Sequence, residues 1–174
     1  MTKIRDCIIQ SNQIENVWSE QEIEQSMKAW ESLESTSFSA IGHEVIKLTQ
    51  KTIVENQPGL AANQRGEYRD ISNTIVRIGN YIAPLPEEVP SLMNVWIDRW
   101  SYLKPFAAHL AFERIHPFAD GNGRVGRLLM WRQEIENGDD LTFIPFDRRH
   151  KYYDALQAAS TLAIELGLEK YISL

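Results

Sequence analysis

The sequence predicts an all-α protein with one small β-hairpin. Apolar residues recur at helical spacing along most of the chain. The breaks between those runs carry helix-start and helix-stop residues. One stretch only, "TIVRIGNYIAP", is β-branched and alternating, with Gly79-Asn80 at its middle.

Each element has its own signal. "SEQEIEQSMKAWESL" opens on Ser19 with Glu22 three residues on, a pairing that satisfies first-turn backbone N–H groups. Ile23, Met27, Trp30 and Leu33 then fall at helical spacing. "SAIGHEVIKLTQKTIVE" is expected to form a second helix, with Ile41, Val45, Leu48 and Ile53 on one face. "NQPGLAANQRGEYRD" reads as a loop broken by Pro58, Gly59 and Gly66. The hairpin follows at Thr74–Ile82. Helices resume at "PSLMNVWIDRWSYL" and "PFAAHLAFERI", where Pro90 and Pro105 suit a first turn. Trp96 and Trp100, four apart, are expected in the core. "RVGRLLMWRQEIEN" is a helix stopped by Gly138. Asp147 is positioned to cap "RRHKYYDALQAAS", and a short terminal helix is expected over "LAIELGLEKYI".

Composition narrows the function. A chain of 174 residues can bury one core, and no Pro- or Gly-rich boundary divides it. The expected organisation is one domain over 1–174, with packing helices at 1–35, a core at 40–158 and a C-terminal helix at 159–174. The apolar fraction of 43% and charged fraction of 24% are ordinary for a globular protein. A net charge of −6 argues against general nucleic-acid binding, which needs clustered cations. Cys7 is the only cysteine, so no intrachain disulfide can form. No apolar run reaches membrane-spanning length, and the N-terminus is unlike a secretory signal. The expected location is cytoplasmic.

The chemistry concentrates in "HPFADGNGRVGR", His116 to Arg127. This loop precedes a helix, whose first turn leaves N–H groups unpaired and favours an anion. Gly121 and Gly123 let the backbone approach a ligand closely. Successive N–H groups there can form an anion nest. Arg124 and Arg127 lie three apart on neighbouring helical positions, and paired guanidiniums suit a polyphosphate. Asp120 can hold Mg²⁺ together with phosphate oxygens. His116 can exchange a proton near neutral pH. Phe118 is expected to bury its ring and pin the loop. His109, seven residues before His116, has no companions at zinc-site spacing and reads as a core histidine.

These residues resemble the Fic-domain signature HxFxDGNGRxxR at every fixed position. "GEYRD" at Gly66–Asp70, the hairpin, "LPEEVPSLM" and the helix carrying His109 extend the likeness over roughly Glu44 to Leu156. The resemblance implies an all-α Fic fold with a hairpin flap. It also implies a protein adenylyltransferase that moves AMP from ATP to a Tyr, Thr or Ser hydroxyl of a target protein. On that resemblance His116 is the general base and Asp120 the Mg²⁺ ligand. Gly121, Asn122 and Gly123 form the anion hole. Arg124 and Arg127 clamp the phosphates, Arg127 taking the γ-phosphate. The flap, with Thr74, Ile75, Val76, Arg77 and Ile78, is expected to hold a target segment by strand addition. Tyr152 and Tyr153 lie where Fic proteins often contact the adenine.

"SNQIEN", Ser11 to Asn16, fits the (S/T)xxxE(G/N) pattern of Fic inhibitory helices, with Ser11 and Glu15 sharing a helical face. The expectation is that Glu15 pairs with Arg127. "TLAIEL", with Thr161 and Glu165, is a weaker rival because no Gly or Asn follows. Two other functions remain: removal of AMP from the target, with Glu15 as base for water, and nucleotide binding without turnover. A proton acceptor at His116 speaks against the last. Homo-oligomerisation is left open.

Overall fold

The computed structural model describes residues 2–70, 76–78 and 81–158. Seven α-helices and one two-stranded sheet are seen among them: α1 (Thr2–Ile14), α2 (Glu20–Ser35), α3 (His43–Ile53), β1 (Arg77–Ile78), β2 (Tyr81–Ile82), α4 (Val89–Arg99), α5 (Pro105–Ile115), α6 (Asn122–Asn137) and α7 (Arg149–Ala158). No described helix is long and apolar enough to cross a membrane. The terminal helix expected over 162–172, which contains Glu165 and follows Thr161, falls outside the described residues, as do Thr74, Ile75 and the Gly79-Asn80 turn.

Helix α6 is the axis of the fold. It packs against α1, α2, α3 and α5. Every residue from Asn122 to Glu134 is buried. A helix buried all round is normally apolar, yet this one carries Arg124, Arg127, Arg132, Gln133 and Glu134 inside. Each of these makes a hydrogen bond there. Gln133, for instance, donates to the carbonyls of Trp100 and Leu103. Trp96 and Trp100 stack at 5.2 Å, and the Trp96 indole donates to Ala108 O at 2.9 Å. Both tryptophans belong to the core, as their spacing predicts.

The N-terminal helices are joined by a buried polar contact. Asn12 and Ser26 share hydrogen bonds at 3.1–3.2 Å, and Asn12 also donates to Ile8 O. Ile4, Cys7, Ile8 and Ile14 carry α1 into the core. Ser19 caps α2 by accepting from Glu22 N at 3.2 Å.

Three expectations need correction. The third helix starts at His43, after a short 3₁₀ turn at Phe38–Ala40, because Gly42 takes the N-cap position. Its buried face is Ile46, Thr49, Gln50 and Ile53, whereas Leu48 is 55% exposed. The apolar reading of the face missed that Gln50 is turned inward to serve a loop. Asp147 lies inside a 3₁₀ turn, Phe146–Arg148, rather than before α7 as its cap. The hairpin is present but short, with Arg77 opposite Ile82 and Ile78 opposite Tyr81.

Candidate active site

Helix α5 stops at His116, which adopts a left-handed conformation with φ 49° and ψ 60°. For a residue with a Cβ this backbone is unfavourable and must be held by its surroundings. Arg69 supplies much of the hold. Its Nε donates to His116 O at 2.7 Å, its Nη2 to Pro84 O, and its backbone N–H to Pro117 O at 2.9 Å. One side chain therefore links the end of α5 to the residues just after the hairpin. The Tyr81 hydroxyl adds a second tie, donating to Arg114 O at 2.6 Å.

The loop after His116 is fixed from within. Phe118 is fully buried between Tyr68 and Phe112, as a pinning residue should be. The Asn122 amide accepts from Phe118 N and donates to Phe118 O, both at 2.9 Å. The side chain of Asn122 thus shapes the loop, and what it can offer an anion is its backbone N–H. Gly121 has φ 83°, and a Cβ there would meet Val54 at 3.0 Å. Gln50 accepts from Gly66 N and donates to Asp120 O at 3.1 Å, joining two loops.

Around this frame the charged groups converge. Asp120 accepts from Gly121 N and from Arg124 Nη2, with 43% of its side chain exposed. Arg124 is buried and also donates to Gln57 Oε1 at 3.0 Å. Its Nε and Nη1 are buried with no hydrogen-bond partner among the described residues. Arg127 is completely buried. Its Nη2 donates to Glu15 Oε1 at 2.7 Å and to Ser11 O, and its Nε to Ser11 Oγ at 2.7 Å. The Glu15 carboxylate lies so close over α6 that a Cβ on Gly123 would overlap it. A carboxylate is therefore seated at the start of a helix and on a guanidinium at once, both of which favour an anion.

The sequence model of the Fic/DOC family matches residues 40–133, more than half of the chain. The chain belongs to the Fic/DOC family. A protein adenylyltransferase Fic of Culex quinquefasciatus is 38% identical over 104 residues, covering 55% of this chain and 20% of the relative. A probable protein adenylyltransferase of Aquifex aeolicus is 37% identical over 100 residues, covering 53% and 31%. The chain thus spans only a fifth to a third of the length of these curated relatives. A Fic family protein from Desulfovibrio desulfuricans superposes with a TM-score of 0.68 at 25% identity, over 98% of this chain and 64% of that one.

The Fic chain brings His116, Asp120, the Gly121–Gly123 turn, Arg124, Arg127, Ser11 and Glu15 into one locality. Glu15 lies just past the last helical residue of α1, in a turn, with Asn16 at φ 58°. Burial and the Arg69 guanidinium push the His116 imidazole down to about pKa 4, against the pull of Glu15 and Asp120. It is therefore neutral near pH 7 and able to take a proton. His109 is a buried core residue, its Nε2 at 2.8 Å from the Tyr152 hydroxyl. Tyr152 is buried with its hydroxyl on Arg127, while Tyr153 is partly exposed and donates to Ile14 O. Of the flap residues, Val76 is half-buried and Arg77 exposed. Sequence reasoning did not single out Arg69, Gln50 or Gln57, and their partners lie far away in the chain. The "GEYRD" likeness was the one available pointer to Arg69.

Proposed function

We propose that this chain is a protein adenylyltransferase that moves AMP from ATP to a Tyr, Thr or Ser hydroxyl, and that Glu15 holds it inactive. The observation that carries this reading is the Glu15 carboxylate on buried Arg127 above the first turn of α6. That position is a built anion site, and a triphosphate would need the same guanidinium. The unpartnered buried donors of Arg124 fit a phosphate as well. The relatives' names, protein adenylyltransferase, support the reaction class.

In the proposed reaction, the target hydroxyl oxygen attacks the α-phosphorus of ATP. The bond to the bridging oxygen breaks and pyrophosphate leaves. His116 accepts the hydroxyl proton. The backbone N–H groups at Gly121–Gly123, with Arg124, hold the phosphate oxygens, and Arg127 holds the γ-phosphate. Among the described residues no three His, Cys, Asp or Glu side chains form a metal cage. A half-exposed carboxylate such as Asp120 fits a cation that takes its remaining ligands from phosphate and water. Mg²⁺ held there would neutralise triphosphate charge, which together with positioning is most of what such transfer requires. The hairpin edge at Thr74–Ile78 would take a target segment as an added strand. The tie from Tyr81 on the paired strand to Arg114 O, just before the His116 loop, supports that role.

Glu15→Gly should switch on transfer of label from α-labelled ATP, with Mg²⁺, to the protein itself or to a lysate protein. Glu15→Gly combined with His116→Ala should lose about 10²–10⁴ of that rate. Transfer of γ-label would overturn the AMP assignment. Release of AMP from pre-modified target by the protein with Glu15 intact would favour the removal reaction instead.

A further inference from the structure

We infer that Tyr152 and His109 are positioning residues that hold Arg127 in place through Nη1, the guanidinium nitrogen that makes no hydrogen bond to Ser11 or Glu15. The inference rests on the reading above, in which Arg127 receives the γ-phosphate.

The contacts of Arg127 divide into two sets. Ser11 and Glu15, at the end of α1, take Nε and Nη2. Tyr152, on α7, takes Nη1 at 2.9 Å. If a phosphate displaces Glu15, the Tyr152 contact is outside the exchange. It can keep the guanidinium oriented whichever anion is present.

The chemistry of the donors fixes the direction of the chain. A guanidinium only donates, so the Tyr152 oxygen must accept from Arg127. The hydroxyl hydrogen then needs an acceptor of its own. His109 Nε2 lies 2.8 Å from the same oxygen. It can accept only if it carries no proton, which places the imidazole hydrogen on Nδ1, a buried nitrogen without a hydrogen-bond partner among the described residues. Protonated His109 would break the sequence, because both of its nitrogens donate. Burial and the Arg127 charge agree with the neutral form, holding His109 down to about pKa 3.

Packing keeps the three groups together. The His109 and Tyr152 rings stack with 18° between planes and 5.8 Å between centroids. Gly126 on α6 makes room for them, since a Cβ there would sit 2.7 Å from His109 Nδ1 and 3.0 Å from Glu113 Oε1. Helix α7 is itself tied to α5 where Arg114 donates to Leu156 O and Gln157 O. Thus α5, α6 and α7 jointly aim one guanidinium. The function is specificity for a triphosphate, because only the terminal phosphate is assigned to Arg127.

The test uses Tyr152→Phe, which keeps the ring and its stacking and removes one oxygen. In the Glu15→Gly protein, Tyr152→Phe should weaken ATP binding about tenfold and leave ADP binding within about twofold, by calorimetry with Mg²⁺. A merely structural role would weaken both alike. Independently of nucleotide, ¹⁵N NMR of the protein with Glu15 intact should show His109 with Nε2 unprotonated from about pH 5 to about pH 8. Its Nε2 resonance should shift in Tyr152→Phe. A proton on Nε2, or an ATP-to-ADP affinity ratio unchanged by Tyr152→Phe, overturns the inference. If Glu15→Gly protein binds no ATP at all, the adenylyltransferase reading fails, and the NMR result alone decides whether the Arg127–Tyr152–His109 chain exists.

Discussion

Asp120 and Asn122 are two positions apart and face opposite demands. The Asn122 amide closes two buried hydrogen bonds to the Phe118 backbone. Asn122→Ala should therefore leave a buried N–H and C=O unsatisfied and cost about 1–3 kcal/mol, read by urea denaturation. Asp120 is half exposed. Asp120→Asn should change stability by less than about 0.5 kcal/mol while weakening Mg²⁺-dependent nucleotide binding at least about tenfold, by titration with and without the metal. A large stability loss in Asp120→Asn would assign the carboxylate to the fold instead of the ligand. At this scale the sequence is readable where roles depend on short spacing, as in His116 to Arg127. It is opaque where the partner is remote. Arg69 meets His116 across 47 positions, Arg124 meets Gln57 across 67, and Gln50 meets Asp120 across 70. No periodicity or motif offset carries such information, because only the folded chain brings these groups together.

Among the elements, α1 has two jobs that cannot be separated. It brings Ser11, and Glu15 just past its end, beside Arg127, and it buries Ile4, Cys7, Ile8 and Ile14. The Glu15 carboxylate is thus held by core packing as well as by its ion pair. Ile8→Ala should cost about 2–5 kcal/mol of stability. It should also raise basal AMP transfer with Glu15 untouched, because the carboxylate is no longer held against the guanidinium. Stability lost with transfer still at background would mean that the ion pair alone sets inhibition. Start and stop residues made α2, α5 and α6 legible, since Ser19, Pro105 and Gly138 act within one turn of their own helix. Helix α3 was misread by face, because its inward row mixes Ile46 and Ile53 with Thr49 and Gln50. The burial of α6 was hidden for the same reason: Arg124, Arg127, Arg132 and Glu134 find partners elsewhere in the fold, and a helix carrying those charges looks solvated on sequence alone.

For the molecule as a whole, the buried groups His109, His116 and Glu113 among the described residues contribute to the response to pH. His109 and His116 are pushed down to about 3 and about 4 by burial first, so between about pH 4 and 6.5 the unfolded chain holds protons that the native state lacks. Stability from these groups rises with pH across that window. Burial, reinforced by Glu15, pushes the Glu113 carboxyl up to about 8. Between about pH 4.5 and 8 the native state holds that proton instead, and stability falls as pH rises. Two protons outweigh one below about pH 6.5, and above it only the fall remains. Each proton is about 1.4 kcal/mol per pH unit. Glu113→Gln should abolish the decline from about pH 6.5 to 8, measured by denaturation at a series of pH values; a decline that persists assigns it to other groups. A last consequence comes from the placement of Glu15 just past the end of a core-forming helix. On the proposed function, nucleotide and the end of α1 compete for one guanidinium, so each weakens the other by the same factor. Saturating ATP should speed hydrogen exchange at the amides of Ser11 to Glu15, and a ligand that clamps α1 should lower ATP affinity by an equal ratio. On that reading, the nucleotide pool of the surrounding solution would be read out as the local melting of one helix end.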